Sequence, residues 1–226
     1  MKQRTVFDIE TGPLPTEEIK RIAPPFNEDD LKMGNLGLEK QLEKIHLARS
    51  KHIEGIESKA ALNAEYGQVL AIGLQAGSMS PVCLIGEESE IISQFWDYAA
   101  KDYQGGQTVW IGFNSNSFDL PFLLRRSFIL GIRVPRHITP MPRYWDSTFW
   151  IDLMDNWKAG DFRATISLDR FCKASGLEGK NGSGKYFSQL LKEDKDKAIE
   201  YLKNDIAITA QLAERVLGCF QQEGKK

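Results

Sequence analysis

Two carboxylates separated by a single isoleucine stand in "TVFDIETGP", residues 5–13. Val6, Phe7 and Ile9 favour a strand, and alternate side chains of a strand share a face. Asp8 and Glu10 therefore point the same way, at the end of a strand apolar enough to be buried. Two like charges there repel and lose hydration, a cost that something must offset. A second stretch, "FNSNSFDLP", sets Asn114 and Asp119 behind the strand-like "TVWIG", with Asp119 at the start of the next helix. An N-cap is the plain structural reading of such an aspartate. A third, "YLKND", places Tyr201 and Asp205 four residues apart, on one face of the last helix. Each stretch alone is weak evidence. Together, and in this order, they offer four carboxylates and a phenol, a combination that average residue frequencies seldom supply by accident. Oxygen ligands of this kind suit Mg²⁺ or Mn²⁺. Two such ions about 3.5–4 Å apart can activate a water and stabilise the leaving oxygen of a phosphoryl displacement.

The elements that must position these groups follow from periodicity. After the first strand the chain turns at Gly12-Pro13, and residues 13–65 then differ from the rest. They are Pro-punctuated, then charged, with Leu38, Leu42 and Ile45 at helical spacing and Phe26 as their one aromatic. This reads as a largely helical insertion whose charges form a solvated face. From Tyr66 the pattern alternates: "QVLAIGLQA" and "PVCLIGE" read as strands joined by "GSMS". "ESEIISQFWDYAAKD" is an amphipathic helix, "TVWIGFN" a buried strand, and "LPFLLRRSFILG" a helix closed by Gly131. "TFWIDLM" supplies a fifth strand, "SLDRFCKASG" a short capped helix, and "KAIEYLKNDIAITAQLAERVLGCF" the final helix. The order β, insertion, ββ, α, β, α, β, α, α predicts an α/β fold, a mixed sheet of about five strands flanked by helices. It is one domain, residues 1–226, with the insertion at 13–65.

At these residues the chain resembles the DEDD-type 3′–5′ exonucleases of the DnaQ-like, ribonuclease-H-like fold, in the tyrosine subclass. Within them it is most similar to the proofreading exonuclease domain of family-B DNA polymerases and its stand-alone bacterial relatives. "FDIETG", "NSNSFDLP" and "YLKNDIAIT" match the three exonuclease motifs, and the resemblance covers residues 1–12 and about 66–218. It implies that Asp8 bridges two divalent ions, Mg²⁺ or Mn²⁺. Glu10 and Asp205 help hold the ion that carries the attacking water, and Asp119 contributes to the second. Tyr201 would orient that water, since a phenol of reference pKa about 10 is better suited to positioning than to full general-base action. The histidine subclass has a His near the final Asp; here His46, His52 and His137 all lie far from it. Thr11 follows the metal pair, where the family's backbone approaches the 3′-terminal nucleotide.

Weaker signals concern substrate. "GKNGSGK", residues 179–185, fits the spacing of a phosphate-binding P-loop, but Tyr186 replaces the required Ser/Thr and the segment follows a helix instead of a strand. It reads either as a flexible loop or as one whose Lys180 and Lys185 approach a substrate phosphate. Arg125, Arg126, Arg133, Arg136 and Arg143 cluster ahead of Tyr144, Trp145, Phe149 and Trp150. Arginines interleaved with aromatics suit a single strand. Arg143, Tyr144 and Trp145, in a Pro-marked loop, are the better substrate candidates, whereas Phe149 and Trp150 alternate into a strand and read as core. Asn114 belongs to the second motif, Phe118 reads as core or as a flank to the terminal base, and Asp146, Asp152 and Asp155 as structural or solvated.

Composition sets the remaining bounds. The net charge of −2 favours no polyanionic partner by itself. Cys83, Cys172 and Cys219 are far apart, which argues against a disulfide framework or a zinc site. No apolar run is long enough to span a bilayer, and no secretory leader precedes the first strand. These bounds predict a cytoplasmic protein with no membrane partner, and the resemblance implies an enzyme acting on the 3′ end of single-stranded DNA. An exoribonuclease or a non-catalytic nucleic-acid-binding module on the same fold are the alternatives.

Overall fold

The computed structural model describes residues 3–102, 108–136, 149–180, 182 and 184–220. The chain forms two compact units, Met1–Glu10 with Val69–Lys226, and Thr11–Gln68.

A five-stranded mixed sheet organises the larger unit, in the order β3-β2-β1-β4-β5. Its strands are β1 (Gln3–Pro13), β2 (Gly67–Ala76), β3 (Val82–Ile85), β4 (Thr108–Gly112) and β5 (Trp150–Asp152). β1 runs parallel to β4 and β4 parallel to β5, while β2 and β3 pair antiparallel. β1 is thus the central strand, and it reads apolar on both faces because both faces are covered. On one face Phe7 packs with Phe95, Trp110 and Trp150 at ring-centroid distances of 5.6–5.8 Å. On the other face Val6 joins Leu202, Ile206, Phe171 and Phe187 in a second buried cluster. Asp8 and Glu10 continue the Val6 face, so the strand that builds this core delivers its carboxylates to the core's edge.

Helices α3 (Glu88–Asp102), α4 (Asp119–Leu130), α5 (Leu153–Lys158), α6 (Leu168–Ala174), α7 (Phe187–Glu193) and α8 (Lys195–Gly218) complete this unit. α3 buries Ile91, Ile92, Phe95, Trp96 and Ala99 on one stripe. α4 ends at Gly131, whose φ of 69° is the left-handed stop expected of a C-terminal glycine. α8, capped by Asp194, buries Ala198, Leu202, Asp205, Ile206, Thr209, Leu212 and Ala213. It comes so close to β2 that a Cβ on Gly73 would stand 2.7 Å from Ile206 Cγ1. Only glycine allows that approach.

The smaller unit holds α1 (Thr16–Ile22), a 3-10 turn (Glu28–Asp30) and α2 (Leu38–Ala60). The helical insertion is therefore as expected. Its apolar stripe is not covered within the unit, since Leu38, Leu42 and Leu47 are more than half exposed. α2 is tied to the 3-10 turn by Arg49 to Glu28, and to the loop after α1 by His52 Nε2 to the Pro24 carbonyl at 3.1 Å.

Several local expectations need correction. The chain does not turn at Gly12-Pro13, because β1 continues in strand conformation through Pro13. The fifth strand is three residues long, and Asp152 caps a helix at Met154 before the predicted strand is complete. α7 is an additional short helix. Phe149 and Trp150 are core, 6% and 3% exposed. Among the described residues no helix is long and apolar enough to cross a membrane, and Cys83, Cys172 and Cys219 are free thiols.

Candidate active site

Three of the predicted carboxylates meet where β1 passes α8. Asp8, Glu10 and Asp205 each present an oxygen within 4.8 Å of the others. Asp205 is fully buried and Glu10 is 6% exposed, while Asp8 keeps some solvent access. Asp119 arrives from the opposite direction. It is the first residue of α4, but no side chain caps that helix. Its carboxylate instead accepts the Ile9 N–H at 3.1 Å through Oδ1. The N-cap reading is thus displaced by a bond that locks the second motif to the strand between the two acids of the first.

The electrostatics are those of a site built for a cation. Burial pushes Asp8 up to about 6, against the pull of Lys180 and with the help of the Asp205 charge. Glu10 is raised well above the carboxylate range by burial and then by the Asp8 and Asp205 charges. Asp119 is raised likewise, by burial and the Asp8 charge. Desolvated carboxylates at this spacing must either take up protons or be offset by positive charge.

The positive charge within the described structure is Lys180, which sequence reasoning left divided between a flexible loop and a phosphate contact. Its Nζ lies 2.5 Å from Asp205 Oδ2 and 5.8 Å from the centroid of the Tyr201 ring. Burial draws the Lys180 ammonium down, but the Asp205, Asp8 and Glu10 carboxylates outweigh it and hold the ammonium above its ordinary value. Asp169 anchors the loop by accepting the Lys180 N–H at 3.0 Å. The same loop then passes so near the site that a Cβ on Gly184 would lie 3.1 Å from Glu10 Oε2 and 3.6 Å from Tyr201 Oη. Among its described residues, the P-loop-like stretch places Lys180 at Asp205 and Gly184 beside Glu10. It carries a lysine into an acidic cluster under a glycine roof.

Tyr201 is half-buried, with its ring against Phe187 and its hydroxyl closed off from solvent. The hydroxyl feels the Asp205 and Glu10 charges, and burial together with those charges pushes its pKa upward. Among the described residues it meets no partner at hydrogen-bonding geometry, although Asp205 lies close enough to act on it. A groove of about 830 Å³ opens beside it, lined by Tyr186, Gln189, Lys197, Lys203 and Asn204.

The weaker candidates divide. Asn114 leads the turn into α4 with φ of 60°. Phe118 is half-buried and packs on Phe122 at 5.5 Å, which favours its structural reading. Thr11 spends its hydroxyl on the Ala61 carbonyl at 2.6 Å. Arg126 leaves the basic cluster altogether. It forks onto Glu88 through Nε at 2.8 Å and Nη2 at 2.6 Å, in a buried pair that joins α4 to α3. Arg143, Tyr144, Trp145 and the side chain of Lys185 lie outside the described residues. The residue that sequence reasoning set aside is Asp152, buried at 3% exposure and pushed up to about 6 by that burial.

A five-stranded mixed sheet in this order, flanked by helices, with an acidic cluster where its central strand meets the last helix, is the ribonuclease-H-like architecture. The chain belongs to the family of predicted 3′–5′ exonucleases related to the exonuclease domain of PolB, whose sequence profile matches residues 62–214. That match includes Asp119, Tyr201 and Asp205 and begins after Asp8 and Glu10, which the fold brings to the same place. An uncharacterized protein of Methanocaldococcus jannaschii is 27% identical over 180 residues, covering 75% of this chain and 97% of that protein. The family B DNA polymerase of Pyrobaculum calidifontis matches 96% of this chain with a TM-score of 0.56 at 17% identity. The chain corresponds to 25% of that polymerase, and the likeness concerns the fold.

Proposed function

We propose that this protein is a metal-dependent 3′–5′ exonuclease that removes mononucleotides from single-stranded or frayed 3′ ends, with DNA as its substrate. The observation that carries this reading is the buried cluster of Asp8, Glu10 and Asp205 beside Asp119, which only a lysine ammonium offsets among the described residues. An all-oxygen donor set with three of its four acids raised by burial fits Mg²⁺ or Mn²⁺. Asp8, Glu10 and Asp205 would hold one ion, with Asp8 shared and Asp119 completing a second place. When bound, such ions supply charge to stabilise the attacking and leaving oxygens of a phosphodiester displacement.

The remaining chemistry belongs to the chain. Tyr201 orients the attacking water through a hydroxyl left without a well-formed hydrogen bond among the described residues, and its raised pKa keeps it a phenol and a hydrogen-bond donor. Lys180 moves from Asp205 to a substrate phosphate when divalent charge replaces it, a sequence-independent contact of the kind that gives salt-dependent affinity. Thr11, which follows Glu10, and Asn114, which opens the turn into the Asp119 helix, contact the terminal nucleotide. The groove beside Tyr201, with Lys197, Lys203 and the exposed Tyr186 on its walls, suits a strand whose bases stack and whose phosphates pair. Residues 13–65 are an insertion into a single exonuclease domain.

The test is a time course on 5′-labelled single-stranded DNA and matched RNA with Mg²⁺, Mn²⁺ or EDTA. A one-nucleotide ladder shrinking from the 3′ end, absent in EDTA, is the expected result, with DNA cleaved faster. Faster cleavage of RNA would make the protein an exoribonuclease. No cleavage of either polymer in any metal would refute the enzymatic reading and leave a binding module.

A further inference from the structure

The turn that presents Asp119 is held by a buried carboxylate that belongs to neither the metal ligands nor the substrate contacts. Asp152 ends β5, where it pairs with Gly112 of β4 in parallel register. Its Oδ1 accepts two backbone N–H groups, from Asn114 at 2.7 Å and Met154 at 2.8 Å. Its Oδ2 accepts the Asn116 N–H at 2.8 Å. The adjoining Asp155 accepts from Asn116 Nδ2 at 2.8 Å. Capping α5 needs only the Met154 bond. The other two bonds reach 38 and 36 residues back along the chain, to the turn between β4 and α4.

That turn uses a backbone conformation that most L-residues avoid and that asparagine tolerates. Asn114 stands at φ 60°, in the left-handed region. Its carbonyl accepts from Ser117 and Phe118, and the Ser115 carbonyl accepts the Leu120 N–H at 2.9 Å. These bonds make the turn and the start of α4 one rigid piece, and Asp119 is the first residue of that helix. We infer that Asp152 is a positioning residue of the active site. It clamps the Asn114–Asn116 backbone and so sets Asp119 against β1 for the second metal ion, and Asn114 beside the substrate path. The inference rests on the two-ion reading above. Groups that orient ligands from behind are worth about 10–100-fold in metal affinity or activity.

Asp152→Asn tests it. Asparagine caps helices as well as aspartate does, but its NH₂ group must face one backbone N–H if it replaces Oδ2 and two if it replaces Oδ1. Asp152→Ser is the companion variant, since its hydroxyl can cap Met154 but cannot bridge to the turn as well. Folded protein, verified by circular dichroism, is titrated with Mn²⁺ while free ion is followed by electron paramagnetic resonance, and kcat is measured across the same Mn²⁺ range. Both variants should fold, bind the weaker Mn²⁺ about 10–100-fold less tightly, and regain kcat at high Mn²⁺. A purely structural role would lower the melting temperature and leave the Mn²⁺ affinity of the folded protein unchanged, which overturns the inference. Two unfolded variants overturn it as well, because the clamp would then serve the fold and not the site. Wild-type protein that binds no Mn²⁺ and cleaves equally in EDTA refutes the metal reading itself, and the inference with it.

Discussion

Replacing Lys180 by methionine separates the two roles that its position suggests. The ammonium lies 2.5 Å from Asp205 Oδ2, with Asp205 fully buried and the lysine side chain 25% exposed. Removing one partner of a buried ion pair costs about 3–5 kcal/mol, and the lysine's partial exposure brings the figure to roughly 2–4 kcal/mol. For a chain of this size each kcal/mol shifts the melting temperature by about 2–4 °C, so the metal-free variant should melt roughly 5–15 °C below wild type. Divalent ions reverse the difference. A ligand at 100 times its dissociation constant stabilises by about 2.7 kcal/mol, and in the variant it need not displace an ammonium first. Calorimetric melts in EDTA and across a Mn²⁺ series should therefore show a lower start, a larger metal-induced rise, a lower Mn²⁺ midpoint and convergence near saturation. Cleavage should stay low even at saturating Mn²⁺, because the phosphate contact is gone. Equal melting in EDTA and equal Mn²⁺ midpoints would refute the claim that Lys180 neutralises the cluster.

Glu10→Gln removes a buried charge that repels its neighbours, so it should raise the melting temperature in EDTA while weakening the Mn²⁺-induced shift; a lower melting temperature would contradict the electrostatic account. Tyr201→Phe deletes a buried hydroxyl without a well-formed hydrogen bond among the described residues and should leave stability and Mn²⁺ affinity near wild type. Its kcat should drop on the order of 10–100-fold, below the 10²–10⁴ of full general-base catalysis, and wild-type turnover would remove the proposed role. Stability should also depend on pH with a definite sign. Asp8 is raised to about 6 and Glu10 and Asp119 shift the same way, so the metal-free native state holds more protons than the unfolded chain at mildly acidic pH. Its stability falls as pH rises through that window. Melting in EDTA should thus be higher near pH 5.5 than near pH 7.5, and saturating Mn²⁺ should invert the order because protons compete with the ion; a flat EDTA profile would contradict the raised values.

Whatever depends on local periodicity was legible in the sequence. The two-residue period of β1 put Asp8 and Glu10 on one face, and the four-residue spacing put Tyr201 and Asp205 on one face of α8. Asp119 was found by its motif, but its bond to Ile9 was not, since that partner is 110 residues away. Distance in sequence hid the rest for the same reason. Arg126 looks like part of a basic cluster until Glu88 is seen beside it. Asp152 looks like a helix cap until two of its three bonds are traced to the Asn114 turn. Lys180 sits in a glycine-rich stretch without periodicity, so nothing local could show that Asp169 fastens the loop and that Asp205 receives the ammonium. The strand that runs on through Pro13 and the short helices α5 and α7 depend on single caps and edges that propensity alone does not resolve.

Whether the buried acids are a metal centre can be asked directly by anomalous scattering from crystals grown with Mn²⁺. The account predicts a manganese peak bonded to Asp8, Glu10 and Asp205, a second near Asp8 and Asp119 once a 3′-nucleotide is present, and Lys180 withdrawn from Asp205. Crystals with no anomalous peak at these residues at saturating Mn²⁺, and Lys180 still paired with Asp205, would contradict it.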